Sequence, residues 1–87
     1  MNTDELKVLT EFCQSLAGTA AYGRGQTILR RAGSVRTKRG VVMVLDDANS
    51  LAYFIARTQS TTAAIREAKF KAAELMQMVA KHYSISA

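Results

Sequence analysis

Residues 34–46 read SVRTKRGVVMVLD, and their secondary structure distinguishes an α+β fold from an all-helical one. It is dense in β-branched and apolar residues of the kind enriched in strands, namely Val35, Thr37, Val41, Val42, Val44 and Leu45. The tripeptide Lys38-Arg39-Gly40 separates two runs, and a hairpin turn with glycine in the left-handed conformation fits there. The continuous apolar run 41–45 is typical of a strand buried on both faces. We therefore predict a hairpin or strand in this region.

The same run has an alternative interpretation as the first turns of a helix, since periodicity cannot separate a buried strand from a helix over so few residues. The predicted fold class is accordingly α+β and predominantly helical. It has an N-terminal helix, a short central hairpin or strand region and one or two C-terminal helices, assembled as an intertwined dimer. An all-α bundle is the alternative.

The segment before this stretch predicts two helices. Apolar residues recur every three or four positions from Leu6 to Ala20, and Asn2 with Glu5 has the spacing of a capping box. This first helix is expected to end between Gly18 and Tyr22.

Residues 22–25 read YGRG and predict a flexible bend. A short helix over 26–32 follows, with Gly33 as its terminating residue.

The segment after it begins with a turn over 46–50, where DDANS offers several helix-capping side chains. Helical spacing then runs from Leu51 to Tyr83. The polar run TQSTT at 58–62 predicts a break into two helices, and one long helix is the alternative. The tail 84–87 is expected to be disordered. The expected core comprises Leu9, Phe12, Leu16, Ile55, Ile65, Leu75 and Val79.

Length and composition favour one small domain over residues 1–87. A chain of 87 residues buries a modest share of its surface, so oligomerisation is expected to add buried area. No apolar window reaches the length of a membrane span, and the first residues lack the features of a secretory signal. The single cysteine, Cys13, excludes an internal disulfide and favours a reduced, cytoplasmic setting.

Positive charge is concentrated in the middle of the chain. The formal net charge is +5, yet residues 21–45 contain six cations and no acid. The basic central segment, 22–40, contains Arg24, Arg30, Arg31, Arg36, Lys38 and Arg39. Five of these six are arginines, whose planar guanidinium binds phosphate with two hydrogen bonds. The alternative is a solvated basic surface that aids solubility only.

The residues that commonly carry catalysis do not form a coherent set. His82 is the only histidine, Cys13 lies beside the apolar stripe of the first helix, and the acidic pair Asp46-Asp47 is expected to cap a helix. These positions favour a protein that is not an enzyme and that has no metal site or cofactor.

The sequence therefore predicts a small basic nucleic-acid-binding regulator or architectural protein. The six cations of the central segment are its expected DNA-phosphate contacts, and Tyr22 is a candidate for stacking on a base. The alternative is a small inhibitor or adaptor, of the type encoded by phages or plasmids, that binds an acidic host-protein surface. A variant of that alternative sequesters an anionic nucleotide at the bend of residues 22–26.

The expected homo-oligomer can be tested by sedimentation. We expect an assembly heavier than one chain at micromolar concentration, because a single copy leaves much of its apolar surface in water. A clean monomer would contradict the prediction.

Overall fold

The computed structural model describes residues 1–86 and contains four helices in that range. They are α1 (Thr3–Ser15), α2 (Tyr22–Ser34), α3 (Lys38–Arg57) and α4 (Ala63–Ser86). No strand occurs among the described residues. The predicted α+β fold is therefore wrong, and the chain has the all-helical fold that was the alternative.

The N-terminus of α1 has the capping box that the sequence predicts. Asn2 Oδ1 accepts a hydrogen bond from the Glu5 backbone N–H at 2.8 Å, and Glu5 Oε1 accepts one from the Asn2 N–H at 3.1 Å. The two side chains satisfy N–H groups that a helix start leaves without partners. The helix ends at Ser15, earlier than expected, and Gly18 at φ +85° turns the chain towards α2.

The predicted bend at 22–25 is instead the first turn of α2. Gly25 is buried and faces α1, where a Cβ atom would lie 2.8 Å from Leu16 Cδ1 and 3.5 Å from the Cys13 carbonyl oxygen. Glycine at this position lets the two helices approach closely. Gly33 lies inside the last turn of α2 and does not terminate it.

The predicted hairpin at 38–40 is the first turn of α3. Thr37 has extended backbone angles, and its Oγ1 accepts a hydrogen bond from the Gly40 N–H at 3.0 Å, so it caps the helix. The following buried residues repeat at three- and four-residue spacing, as one face of a helix requires: Val41, Val44, Leu45, Ala48, Leu51, Ala52 and Ile55. The residues predicted as a turn at 46–50 lie in the middle of this helix.

The predicted break at 58–62 is confirmed, because α3 ends at Arg57 and α4 begins at Ala63. Thr58 has extended backbone angles, and Thr62 Oγ1 accepts a hydrogen bond from the Ile65 N–H at 3.3 Å. The expected disordered tail, 84–87, overlaps the end of α4, which continues to Ser86. Ala87 lies outside the described residues.

The four helices pack in a ring, in which each contacts the next along the chain and α1 also contacts α4. Six of the seven expected core residues are buried, whereas Ile65 is only half-buried. Ala68 and Ala72 of α4 are fully buried and allow neighbouring helices to come close. Among residues 1–84 no polar or charged side chain is buried. No helix in the described range, 1–86, combines the length and apolar character needed to cross a membrane.

The close approach of α2 to α1 gives a matched pair of substitutions. Gly25→Ala is expected to lower the free energy of unfolding by about 1 kcal/mol or more, because its methyl group would overpack against buried Leu16. Gly23→Ala, with nothing within 4 Å, is expected to raise it by up to about 1 kcal/mol through helix propensity. Urea unfolding measures both. Equal changes in the free energy of unfolding of the two variants would contradict the tight contact between Gly25 and Leu16.

Candidate functional site

Two of the predicted cations, Arg24 and Arg31, line one groove between α2 and α3. They lie seven residues apart, which places them on the same side of α2 about two turns from each other. The groove has a volume of about 260 Å³, and its lining residues are Arg24, Thr27, Ile28, Arg31, Asp47 and Ser50. We call it the α2–α3 groove. It combines two guanidinium groups with the Ser50 hydroxyl, a set able to contact phosphate, whereas the Thr27 hydroxyl already donates to the Gly23 carbonyl oxygen.

One acid lies in this groove. Arg31 Nη1 and Asp47 Oδ2 form an ion pair at 2.9 Å, and both side chains are about half exposed. An exposed pair of this kind stabilises a fold by about 1 kcal/mol at most. Arg31 is therefore held over the groove by a weak interaction that a more highly charged anion is able to replace.

The surface continues from the groove along α3. Phe54 follows Ser50 by four residues, so it lies one turn further on the same side of the helix. This residue is 58% exposed, and it lines a shallow depression of about 310 Å³ with Arg57 and Thr58. The Arg57 guanidinium lies over the neighbouring Tyr53 ring, 5.2 Å from its centroid.

The end of the bundle at the α2–α3 connection is the most basic part of the molecule. Arg30 and Arg31 lie in the last turns of α2, Arg36 in the connection 35–37, and Lys38 and Arg39 in the first turn of α3. We call these five residues the basic end. Within residues 1–86, Arg31 is the only one of the five that forms an ion pair.

The cations of the basic end do not all face one way. Arg30 is rotated by about 100° from Arg31 around α2, and its Nη2 donates to Thr27 Oγ1 at 3.2 Å. Lys38 lines a different cavity, on the opposite side of α3 from the α2–α3 groove. Tyr22 is part-exposed, and its hydroxyl oxygen accepts a hydrogen bond from Gln26 Nε2. The structure therefore groups five of the six predicted cations at one end of the bundle, without forming a single continuous surface. Arg24 and Tyr22 lie apart from them, in the first turn of α2.

The cavity beside Lys38 has a volume of about 530 Å³. It is lined by Met1, Asn2, Glu5, Lys38, Val41, Val42 and His82. His82 Nδ1 donates to Glu5 Oε2 at 2.5 Å, which joins the start of α1 to the last turns of α4. Beside it, the Tyr83 hydroxyl donates to Asp46 Oδ1, and this hydrogen bond raises the pKa of Tyr83.

The pKa of Glu5 is lowered by its partners. Burial acts in the opposite direction, but hydrogen bonds from His82 and from the Asn2 backbone N–H, together with the charge of His82, outweigh it. Burial raises the pKa of the Cys13 thiol to about 11, so this cysteine is protonated at neutral pH and is a poor nucleophile. No group of three His, Cys, Asp or Glu side chains within residues 1–86 is placed to hold a metal.

Ser50, Phe54 and Arg57 are the candidate site residues that sequence reasoning missed. Phe54 lies within the segment of helical spacing predicted from Leu51 onward, yet it is exposed and lies outside the core. The signal becomes visible only when 38–57 is treated as one helix. Arg39, Met43, Ser50, Phe54 and Arg57 then fall on the face opposite the buried residues.

The Glu5–His82 pair predicts a pH dependence of stability. Because the pKa of Glu5 is lower in the folded chain than its ordinary value of 4.5, the pair stabilises the fold above that value. This stabilisation is lost as the pH falls through the lowered pKa. Glu5→Gln keeps an acceptor for the capping box but removes the titrating group. We expect the urea midpoint of this variant to fall less steeply than the wild type from about pH 5 downward.

His82→Gln is the companion variant, since it removes the partner that lowers the pKa of Glu5. If the urea midpoints of the wild-type chain and of both variants fall in parallel as the pH is lowered, the pH dependence does not come from the Glu5–His82 pair.

The chain matches no known family model, and neither a curated protein nor a solved structure matches it. The chemistry of the basic end, the α2–α3 groove and Phe54 is therefore what indicates a function.

Proposed function

We propose that this protein is a small nucleic-acid-binding protein, with a regulatory or architectural role, that contacts phosphates through its basic end and the α2–α3 groove. The observation that carries the proposal is the charge of the basic end. Five cations gather around one connection between helices, and residues 12–45 contain no acid. Such a cluster repels itself, and a bound polyanion relieves that repulsion.

The first turn of α3 adds to the positive electrostatic potential of the basic end. Its first turn contains Lys38 and Arg39 and no acid, although acids are favoured there by the helix dipole. The unneutralised positive end of α3 therefore reinforces the cations around it. This arrangement lowers the stability of the free helix, which favours a role for these cations in binding an anion.

Phosphate contact accounts for the residue types in this surface. Arginine guanidinium groups bind phosphate oxygens through paired hydrogen bonds, and the hydroxyl group of Ser50 lines the adjacent groove. Such contacts give affinity that depends on salt and little on base sequence. We therefore propose a binding protein and not an enzyme. The reduced cytoplasm is its proposed compartment, in keeping with the single, buried Cys13.

A second candidate function is binding to a protein, as an inhibitor or adaptor. The observation that favours it is Phe70 on α4, which at 63% is the most exposed large apolar residue within 1–84. An exposed phenyl ring of this kind suits a partner with an apolar surface. Binding through such a surface depends on salt far less than contact with several phosphates does.

Removal of charge from the basic end tests the proposal. We expect Arg36→Gln with Arg39→Gln to weaken binding to all DNA sequences alike. It should reduce the slope of log affinity against log salt by about 2 in magnitude, since each phosphate contact accounts for about 0.9. Fluorescence anisotropy with labelled DNA at several salt concentrations gives the slope.

The control is Lys7→Gln with Lys81→Gln, which removes the same charge from exposed positions on α1 and α4. We expect this control to keep the wild-type slope. A wild-type chain that binds no DNA at about 50 mM salt, where phosphate contacts are strong, would contradict the proposed function.

A further inference from the structure

We propose that the nucleic acid bound by this chain is single-stranded, and that Phe54 stacks on one of its bases. This inference rests on the proposed function and assigns the class of ligand. Phe54 is 58% exposed on the surface of α3, next to the α2–α3 groove and away from the buried core. An exposed phenyl ring on a rigid helix is a stacking surface if a base can reach it.

Positively charged side chains lie on two sides of Phe54. Arg57 lines the same depression as Phe54, and Arg24 lines the adjacent α2–α3 groove with Ser50, one turn before Phe54. Asp47 and Arg57 are ten residues apart, so this part of α3 is about 15 Å long, enough for a few nucleotides. Cations that follow a backbone and an aromatic ring that receives a base are the two components of single-strand binding.

A duplex does not use this arrangement as well as a single strand does. In a duplex the faces of the bases are already stacked on one another, so a surface ring meets only base edges and backbone. In a single strand the bases can turn outward and present a face to the ring. The exposed ring beside Arg57 therefore favours a single strand, whereas the basic end alone would accept either.

Phe54 is the aromatic residue best placed for this role. The Tyr53 ring is already covered on one side by the Arg57 guanidinium, and the Tyr22 hydroxyl accepts a hydrogen bond from Gln26. Tyr22, the stacking residue expected from the sequence, does not line the groove. Phe70 is slightly more exposed than Phe54 but belongs to α4, beside a lysine that contacts Glu11 and Glu74. It therefore provides a matched control.

The experiment compares Phe54→Ala with Phe70→Ala in binding to a labelled thymidine oligonucleotide and to a duplex of the same length. We expect the wild-type chain to prefer the single strand. Phe54→Ala should weaken that binding about 5-fold to 100-fold, the effect of losing one stacked base. Phe54→Trp should keep the affinity, and Phe70→Ala should not change it. Because both rings are exposed, unfolding midpoints close to wild type are expected and are measured alongside.

The outcomes separate this inference from the proposed function. Binding to both DNA forms that Phe54→Ala leaves unchanged would overturn the stacking role and leave phosphate binding in place. Absence of binding to either form would overturn the proposed function itself. Sedimentation tests whether a second copy of the chain, instead of a nucleic acid, covers the surface around Phe54. If Phe54→Ala dissociates a dimer and binds the oligonucleotide like the wild type, the ring belongs to an interface between copies and the inference fails.

Discussion

Burial of the apolar face of α3 organises the whole bundle. This helix contributes more buried side chains than any other, and it packs against both α2 and α4. Once residues 41–55 turn that face inward, the opposite face is fixed in solvent, with Arg39, Phe54 and Arg57 on it. The candidate site is thus a consequence of core packing, because the same helical period that buries Leu45 and Leu51 exposes these residues.

The parts of the fold that could be predicted are those with local signals. The capping box of Asn2 and Glu5, the apolar stripe of α1 and the polar break at 58–62 each act within a few residues, and each was recognised correctly. The prediction for the central region, 34–46, was wrong because its local signals favour strands. Val41, Val42 and Val44 favour strands by propensity, but propensity is a weak preference that packing against neighbouring helices overrides. Thr37 also resembles a strand residue, although in the structure it is a helix cap.

The candidate site could be predicted only in part, for a related reason. The charge of Arg24, Arg31, Arg36 and Arg39 is visible in the sequence without any structure. Which cations share a surface depends on the helical period through 22–57, and the predicted bend and hairpin concealed it. Lys38 and Arg39 are adjacent in the chain, yet Lys38 lines the cavity with Glu5 and His82. Phe54 was missed because an aromatic residue at helical spacing is more often part of a core than of a surface.

The ring order of the helices has a consequence for how the chain folds. Three of the four interfaces join neighbours in sequence, so each forms by closing a short loop, which has a small entropic cost. The α1–α4 interface is different, since it closes nearly the whole chain and brings Glu5 to His82. Contacts between helices that are adjacent in sequence form fast. Contacts between residues that are distant in sequence stabilise the fold only after a larger loss of chain entropy. We therefore expect the α1–α4 interface to form after the three local interfaces have brought its two helices closer together.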